Sequence, residues 1–248
     1  MERITSRRNP LLQRIRKLQN VRSFRYEQGM YVGDGVKLLE EAVRWGADLR
    51  TVVATEGLAL PPLPQEARQV TVPPDVMKSI SQMQTPQGVL FVCAMAEAAP
   101  PPAMAGCVIL DGIQDPGNLG TMLRTADALD ISLVLTEGCV DPYGPKVVRA
   151  SMGAVFRVPP RSVTRREAAR LCREQGVALI AAALSEDAAD IRALDLSRAA
   201  VVIGSEGQGV SRELLELSAG RVVIPMNPRC ESLNAAAAAA IIMWQMKR

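Results

Sequence analysis

Apolar positions recur along this chain with two alternating periods, one helical and one strand-like. Leu11, Ile15 and Leu18 lie about a helical turn apart behind Asn9-Pro10, a capping residue followed by one suited to the first helical position, so a helix is predicted there. Arg14, Arg16 and Lys17 fall largely off that stripe. Met30-Tyr31-Val32 reads as a short strand, Gly33-Asp34-Gly35 as a turn, and Val36 to Trp45 as a helix. Thr51 to Ala54 and Gln69 to Val72 read as strands around the proline-rich loop Pro61 to Pro64, Val76 to Met83 as helix, and Gly88 to Met95 as strand. Residues 96–105, with Pro100-Pro101-Pro102, have the composition of a stiff linker. The alternation then resumes, with strands predicted at 107–110, 132–135, 155–158, 177–182, 200–203 and 221–224 and helices at 118–129, 145–151, 165–175, 211–218 and 232–246. This pattern specifies an α/β protein: a small domain over residues 1–95, the linker, and a mostly parallel sheet with helices on both faces over residues 106–248.

Composition narrows the chemistry. No histidine is present among the 248 residues, which excludes histidine acid–base catalysis, serine–histidine triads and histidine metal sites. The five cysteines are scattered without zinc-ligand spacing, so reduced thiols and no metal are expected. Ala235 to Trp244, the longest apolar candidate, is too short to span a membrane, and a cytoplasmic location without a membrane partner is expected. The net charge of +3 is unevenly placed. Residues 1–26 carry Arg3, Arg7, Arg8, Arg14, Arg16, Lys17, Arg22 and Arg25 against Glu2 alone. A basic arm interleaved with Phe24 and Tyr26 points to a polyanion partner.

Three loops at strand ends carry the candidate chemistry. Asp115-Pro116-Gly117-Asn118-Leu119-Gly120-Thr121-Met122-Leu123-Arg124 follows the apolar run Cys107 to Leu110, at the position where open α/β sheets bind ligands. Asn118 reads as the helix cap there, and Arg124 reaches an anionic or hydroxyl-bearing substrate. Gly204-Ser205-Glu206-Gly207-Gln208-Gly209 has glycine spacing like a phosphate cradle, but it lacks the P-loop lysine. Its glutamate suits a hydroxyl, an amine or a held arginine better than a phosphate. The third loop runs from Pro225 to Asn234 into six alanines. Ser232 reads as its helix cap, and Asn234, a poor helix former, takes a specific role. Cys230 would suit the nucleophile of a base methylase, but no companion acid–base pattern accompanies it.

Taken together, Asn118-x-Gly120-x-x-x-Arg124, Ile203-Gly204-Ser205-Glu206-Gly207-x-Gly209, and Ile224-Pro225-Met226 followed by Ser232-Leu233-Asn234 resemble the motifs of the SpoU/TrmH family of SPOUT-class RNA ribose 2′-O-methyltransferases. Ser6-Arg7-Arg8-Asn9-Pro10 and Thr85-Pro86-Gln87-Gly88-Val89 are similar to that family's L30e-like substrate-binding domain. The resemblance implies an L30e-like domain over residues 1–95 and a SPOUT domain with a C-terminal trefoil knot over residues 106–248. It also implies a homodimer, S-adenosylmethionine as cofactor, and RNA, most of all ribosomal RNA, as the substrate captured by the basic arm and L30e-like domain. It places Gly204, Ile224, Met226 and Leu233 at the cofactor and Asn118, Arg124, Glu206, Ser232 and Asn234 around the reacting ribose. Asp34-Gly35 departs from the family's usual Glu-Gly, and Asn227-Pro228-Arg229-Cys230 from its usual glycine-containing segment. A guanidinium is a poor base, so Arg124 is expected to stabilise developing alkoxide and clamp a phosphate, leaving Glu206, water or the RNA to take the proton. The alternatives are a transfer-RNA 2′-O-methyltransferase and a non-catalytic SPOUT-fold RNA-binding protein of ribosome assembly.

Overall fold

Two sheets account for the alternation. The structure, a computed structural model, describes residues 2–96 and 102–248; residues 97–101 of the expected linker lie outside the described residues. The chain divides into two units, residues 2–96 with Tyr143–Arg157, and residues 102–142 with Val158–Arg248.

The first unit is built from β1 (Glu2–Arg3), α1 (Pro10–Asn20), α2 (Arg22–Gln28), β2 (Met30–Asp34), α3 (Val36–Arg44), β3 (Leu49–Thr55), β4 (Arg68–Val72), α4 (Pro74–Ile80) and β5 (Val89–Ala94). Its sheet runs β1-β4-β3-β5-β2, with β1, β4 and β3 parallel and β5 antiparallel to both β3 and β2. Strand side chains alternate between faces. Val32, Val53 and Leu90 meet Leu12, Ile15 and Leu18 of α1 and Val76, Met77 and Ile80 of α4. Tyr31, Val52 and Phe91 meet Leu38, Leu39 and Ala42 of α3 on the other side.

The basic arm is folded. Asn9 caps α1 by accepting from Leu11 N at 2.9 Å, and the buried stripe uses Leu12, leaving Leu11 only partly buried. Helix α2, which the apolar pattern does not announce, closes at Gly29 in the left-handed conformation. Arg25 is buried, and its Nη1 donates to the carbonyls of Leu18 and Gln19 at 2.6 and 3.2 Å, so it braces the helices and does not face a polyanion.

Tyr143–Arg157, expected within the C-terminal domain, belongs to the first unit. It supplies α6 (Pro145–Ala150) and α7 (Ala154–Arg157), and Tyr143, Val148 and Val155 enter the α3 side of the core. The Tyr143 ring lies 4.9 Å from that of Tyr31. The strand expected at 155–158 is therefore the helix α7. A short apolar run has no period of its own, and here burial of Ala154 and Val155 sets the conformation.

The second unit contains β6 (Val108–Asp111), α5 (Pro116–Ala128), β7 (Leu133–Leu135), β8 (Arg161–Ser162), α8 (Arg165–Glu174), β9 (Leu179–Ala182), β10 (Ala189–Asp190), β11 (Ala200–Gly204), α9 (Arg212–Leu217), β12 (Gly220–Val223) and α10 (Ala235–Met246). Its sheet, β10-β12-β9-β11-β6-β7-β8, is parallel throughout. Ile109 and Val202 pack with Ala168, Leu171 and Cys172 of α8 and Leu214 of α9. The alanines of α10 let it lie close against α5 and β11. Four cysteines are buried free thiols and Cys230 is exposed. Among the described residues no cluster suits a metal ion, and no helix is long and apolar enough to cross a membrane.

Candidate active site

The central strands β6 and β11 end side by side, with Asp111 paired to Gly204, so the loops that follow them emerge together. Asp115 caps α5: its Oδ1 accepts from Asn118 N at 2.8 Å, with Pro116 in the first helical turn. Asn118 is thus not the cap expected from the sequence. It sits inside the first turn with its side chain released for other work.

Asn234, not Ser232, caps α10. Its Oδ1 accepts from Ala236 N at 2.9 Å and Ala237 N at 3.2 Å. That fixes which way the amide points, because only the oxygen can face two N–H groups. Asn234 Nδ2 is left to donate, and it reaches Asn118 Oδ1 at 3.1 Å. Asn118 Nδ2 in turn donates to Glu206 Oε1. One helix N-terminus therefore orients a chain of two amides ending on a carboxylate, joining all three loops.

The Glu206 loop closes on itself. Ser205 N donates to Gly209 O at 3.2 Å and Gly209 N to Ser205 O at 2.9 Å. These two N–H groups are spent within the loop, and the glycine spacing shapes a tight turn. Gly204 is required by close approach: a Cβ there would overlap the backbone of Gly209 and Val210.

Behind the turn lies a cavity of about 530 Å³, a volume typical of small-molecule sites. Gly204, Ile224, Met226 and Leu233 all line it, as do Glu206 and Ser232. Its walls include Ile203, Val222 and Ile242. Arg124 is exposed on α5, and neither its side chain nor that of Ser232 makes a hydrogen bond or ion pair with the described residues. The structure thus joins Asn118, Glu206 and Asn234 directly and places the four cofactor candidates on one cavity, while Arg124 stands apart.

Sequence reasoning missed Asp115 and Asp111. The Asp-Pro pair at 115–116 is itself a helix-start signal, read too late by three residues. Asp111 carries no local signal beyond standing at the end of an apolar run. It is buried, and its carboxylate accepts from Thr136 Oγ1 at 2.8 Å, Arg165 Nε at 2.7 Å and Ser211 N at 2.7 Å. Burial works to raise its pKa, but the hydrogen bonds from Ser211, Arg165 and Thr136 outweigh it and hold the carboxyl below the usual range.

The sequence matches the SpoU rRNA Methylase family over residues 106–244 and the MRM3-like substrate binding domain over residues 9–90. It is 34% identical to an uncharacterized tRNA/rRNA methyltransferase of Synechocystis, over 99% of this chain and 93% of the other. It is 30% identical over the full length of both chains to the 23S rRNA (guanosine(2553)-2′-O)-methyltransferase of Bacillus subtilis. The crystal structure of an AdoMet-bound rRNA methyltransferase from Sinorhizobium meliloti superposes with a TM-score of 0.87 at 29% identity, covering 100% of this chain and 97% of that one.

Proposed function

The chain belongs to the SpoU rRNA methylase family, and from that premise we propose that it methylates a ribose 2′-hydroxyl of ribosomal RNA with S-adenosylmethionine as donor. The observation that carries this reading is the Asn234–Asn118–Glu206 chain beside the cavity. The cavity fits the cofactor: its walls combine apolar side chains such as Ile203, Val222 and Ile242 with the polar Glu206 and Ser232, its volume is adequate, and at Gly204 the backbone folds so tightly that no side chain is tolerated. Gly204, Ile224, Met226 and Leu233 would hold the donor, which supplies a methyl group already activated on a sulfonium.

The remaining task falls to the protein's own groups. The hydroxyl is neutral and weakly nucleophilic, so it must be held in line, and its developing negative charge must meet a donor. Glu206, Asn118 and Ser232 present polar groups at or beside the cavity for orientation, and α10 fixes the Asn234 amide. Arg124, exposed and unpaired with the described acids, is assigned to the ribose oxygen and a neighbouring phosphate through two parallel N–H donors. Arg124→Lys is therefore expected to lower methyl transfer to rRNA about 100-fold or more, because an ammonium offers a point charge in place of the planar fork. Near-normal turnover of this variant in a radiolabelled methyl-transfer assay would remove the clamp.

Residues 1–95 take the role of RNA capture. Arg3 and Arg7 pair with Glu56 and Asp75, each at 2.7 Å, whereas Lys17 and Arg22 lie over the Phe24 and Tyr26 rings at 4.1 and 5.6 Å and stay exposed. Because Leu12, Ile15 and Leu18 belong to the core, removing this segment would unfold the unit, and charge removal is the cleaner test. Lys17→Gln with Arg22→Gln is expected to flatten the log–log salt dependence of RNA binding by about 0.7–0.9 per lost phosphate contact, with cofactor affinity unchanged. An unchanged slope in a salt titration would move the RNA to another face.

The same family reading carries a trefoil knot in the C-terminal region, a homodimer and a cytoplasmic location. The exposed Ile241 and Trp244, one turn apart on α10, support an apolar face for a second copy.

A further inference from the structure

We propose that Asp111 is a positioning residue for methyl transfer, its buried carboxylate latching the Glu206 loop so that Glu206 meets Asn118. This rests on the active-site reading above and adds to it a residue outside the polar chain and outside the cavity lining. The loop has two stems, and Asp111 holds both. Its backbone pairs in the ladder with Gly204, where the loop leaves β11, and its Oδ2 accepts from Ser211 N at 2.7 Å, where the loop enters α9. Between these anchors the Ser205–Gly209 bridge leaves Glu206, Gly207 and Gln208 as the tip.

The latch is itself anchored. Thr136 Oγ1, just beyond β7, donates to Asp111 Oδ1 at 2.8 Å, and Arg165 Nε, in the first turn of α8, donates to the same oxygen at 2.7 Å. Arg165 is held in its turn, its Nη2 donating to Glu137 O at 2.9 Å and its backbone N to Glu137 Oε2 at 2.9 Å. One carboxylate oxygen is thus tied to Thr136 and Arg165 and the other to the end of the Glu206 loop. Glu213 of α9 and the buried Cys139 complete the ionisable groups near this pair. No donor is redundant: replacing the carboxylate by an amide must turn an N–H group toward either Arg165 or Ser211.

The functional consequence follows from geometry. Glu206 reaches Asn118 from a different strand end, so a small shift of the loop breaks the contact that closes the polar chain. A misplacement of about 1 Å at a reacting centre costs on the order of 100-fold in rate.

The test is a double-mutant cycle on methyl transfer to rRNA, with kcat and KM measured for Asp111→Asn, Glu206→Gln and the double variant, and cofactor affinity and thermal unfolding measured alongside. Each single variant is expected to lose about 100-fold in kcat, and the double variant no more than about twofold beyond the worse single, because Asp111 acts through Glu206. Ser211→Pro provides a second route that leaves the Asp111 carboxylate, Thr136 and Arg165 in place: Ser211 has φ −59°, which proline accepts, and the N–H donor to Asp111 is lost together with the Ser211 hydroxyl. It is expected to lower kcat in the same direction and to show the same lack of additivity with Glu206→Gln. Losses that multiply in the double variant, or full activity in Asp111→Asn or Ser211→Pro, would overturn the latch alone. Full activity in Glu206→Gln would overturn both the latch and the active-site reading beneath it.

Discussion

Asn118→Ala is expected to lower kcat for ribose methylation by about 100- to 1000-fold while leaving cofactor affinity within a few-fold of the wild type. Asn118 touches both other loops through its side chain, giving to Glu206 and receiving from Asn234. Without it the Glu206 carboxylate loses its amide donor and the Asn234 amide loses its acceptor, although α10 still holds Asn234 by its oxygen. The cavity is untouched, because Asn118 does not line it. Asn118 is half-buried at a loop edge, so the loss of fold stability is about 1 kcal/mol and does not explain a loss of activity. Steady-state kinetics with calorimetric titration of the cofactor separates the two effects. Equal losses in both would mean that Asn118 shapes the cavity and does not orient the substrate.

Gly204→Ala is expected to give the opposite split. The added Cβ would collide with main-chain atoms of Gly209 and Val210, which cannot rotate away as a side chain would. Either the Ser205–Gly209 bridge opens or β11 shifts against β6, and both change the wall of the cavity. Overpacking of this kind costs about 1–3 kcal/mol. If most of it falls on the cofactor-binding form, the dissociation constant rises by about 5- to 150-fold, since each 1.4 kcal/mol is tenfold. Calorimetry reads this directly. Wild-type affinity in Gly204→Ala would show that the turn is not part of the cofactor site.

The sequence carried much of this because both periods are strong where elements are long. The strands at Cys107 to Leu110 and Val201 to Ile203 and the helices around Arg165 and Ala235 emerge close to their expected bounds, since apolar runs and amphipathic stripes express burial directly. The family resemblance is borne out by the match over residues 106–244. What failed depended on partners distant in sequence. Helix α7 lacks a period long enough to distinguish it from a strand, and its place in the first unit is settled by Tyr31 and Phe91, far away in the chain. Both helix caps were displaced by two or three residues because Asp115 and Asn118, like Ser232 and Asn234, are all good capping types, and only the N–H partners decide between them. Arg25 looked like its neighbours in a basic run, yet two carbonyls of the preceding helix claim it. Asp111 is legible only in three dimensions, because its donors come from positions 136, 165 and 211.

The most direct test of the central claim is to incubate the protein with unmodified ribosomal RNA and labelled S-adenosylmethionine, then hydrolyse the RNA in alkali. A methyl group on the 2′-oxygen blocks attack on the adjacent phosphate, so the label is predicted to appear in an alkali-resistant dinucleotide, and to vanish with Asn118→Ala. Label recovered in mononucleotides, which would mark a methylated base, or no transfer to ribosomal RNA at all, would contradict the account.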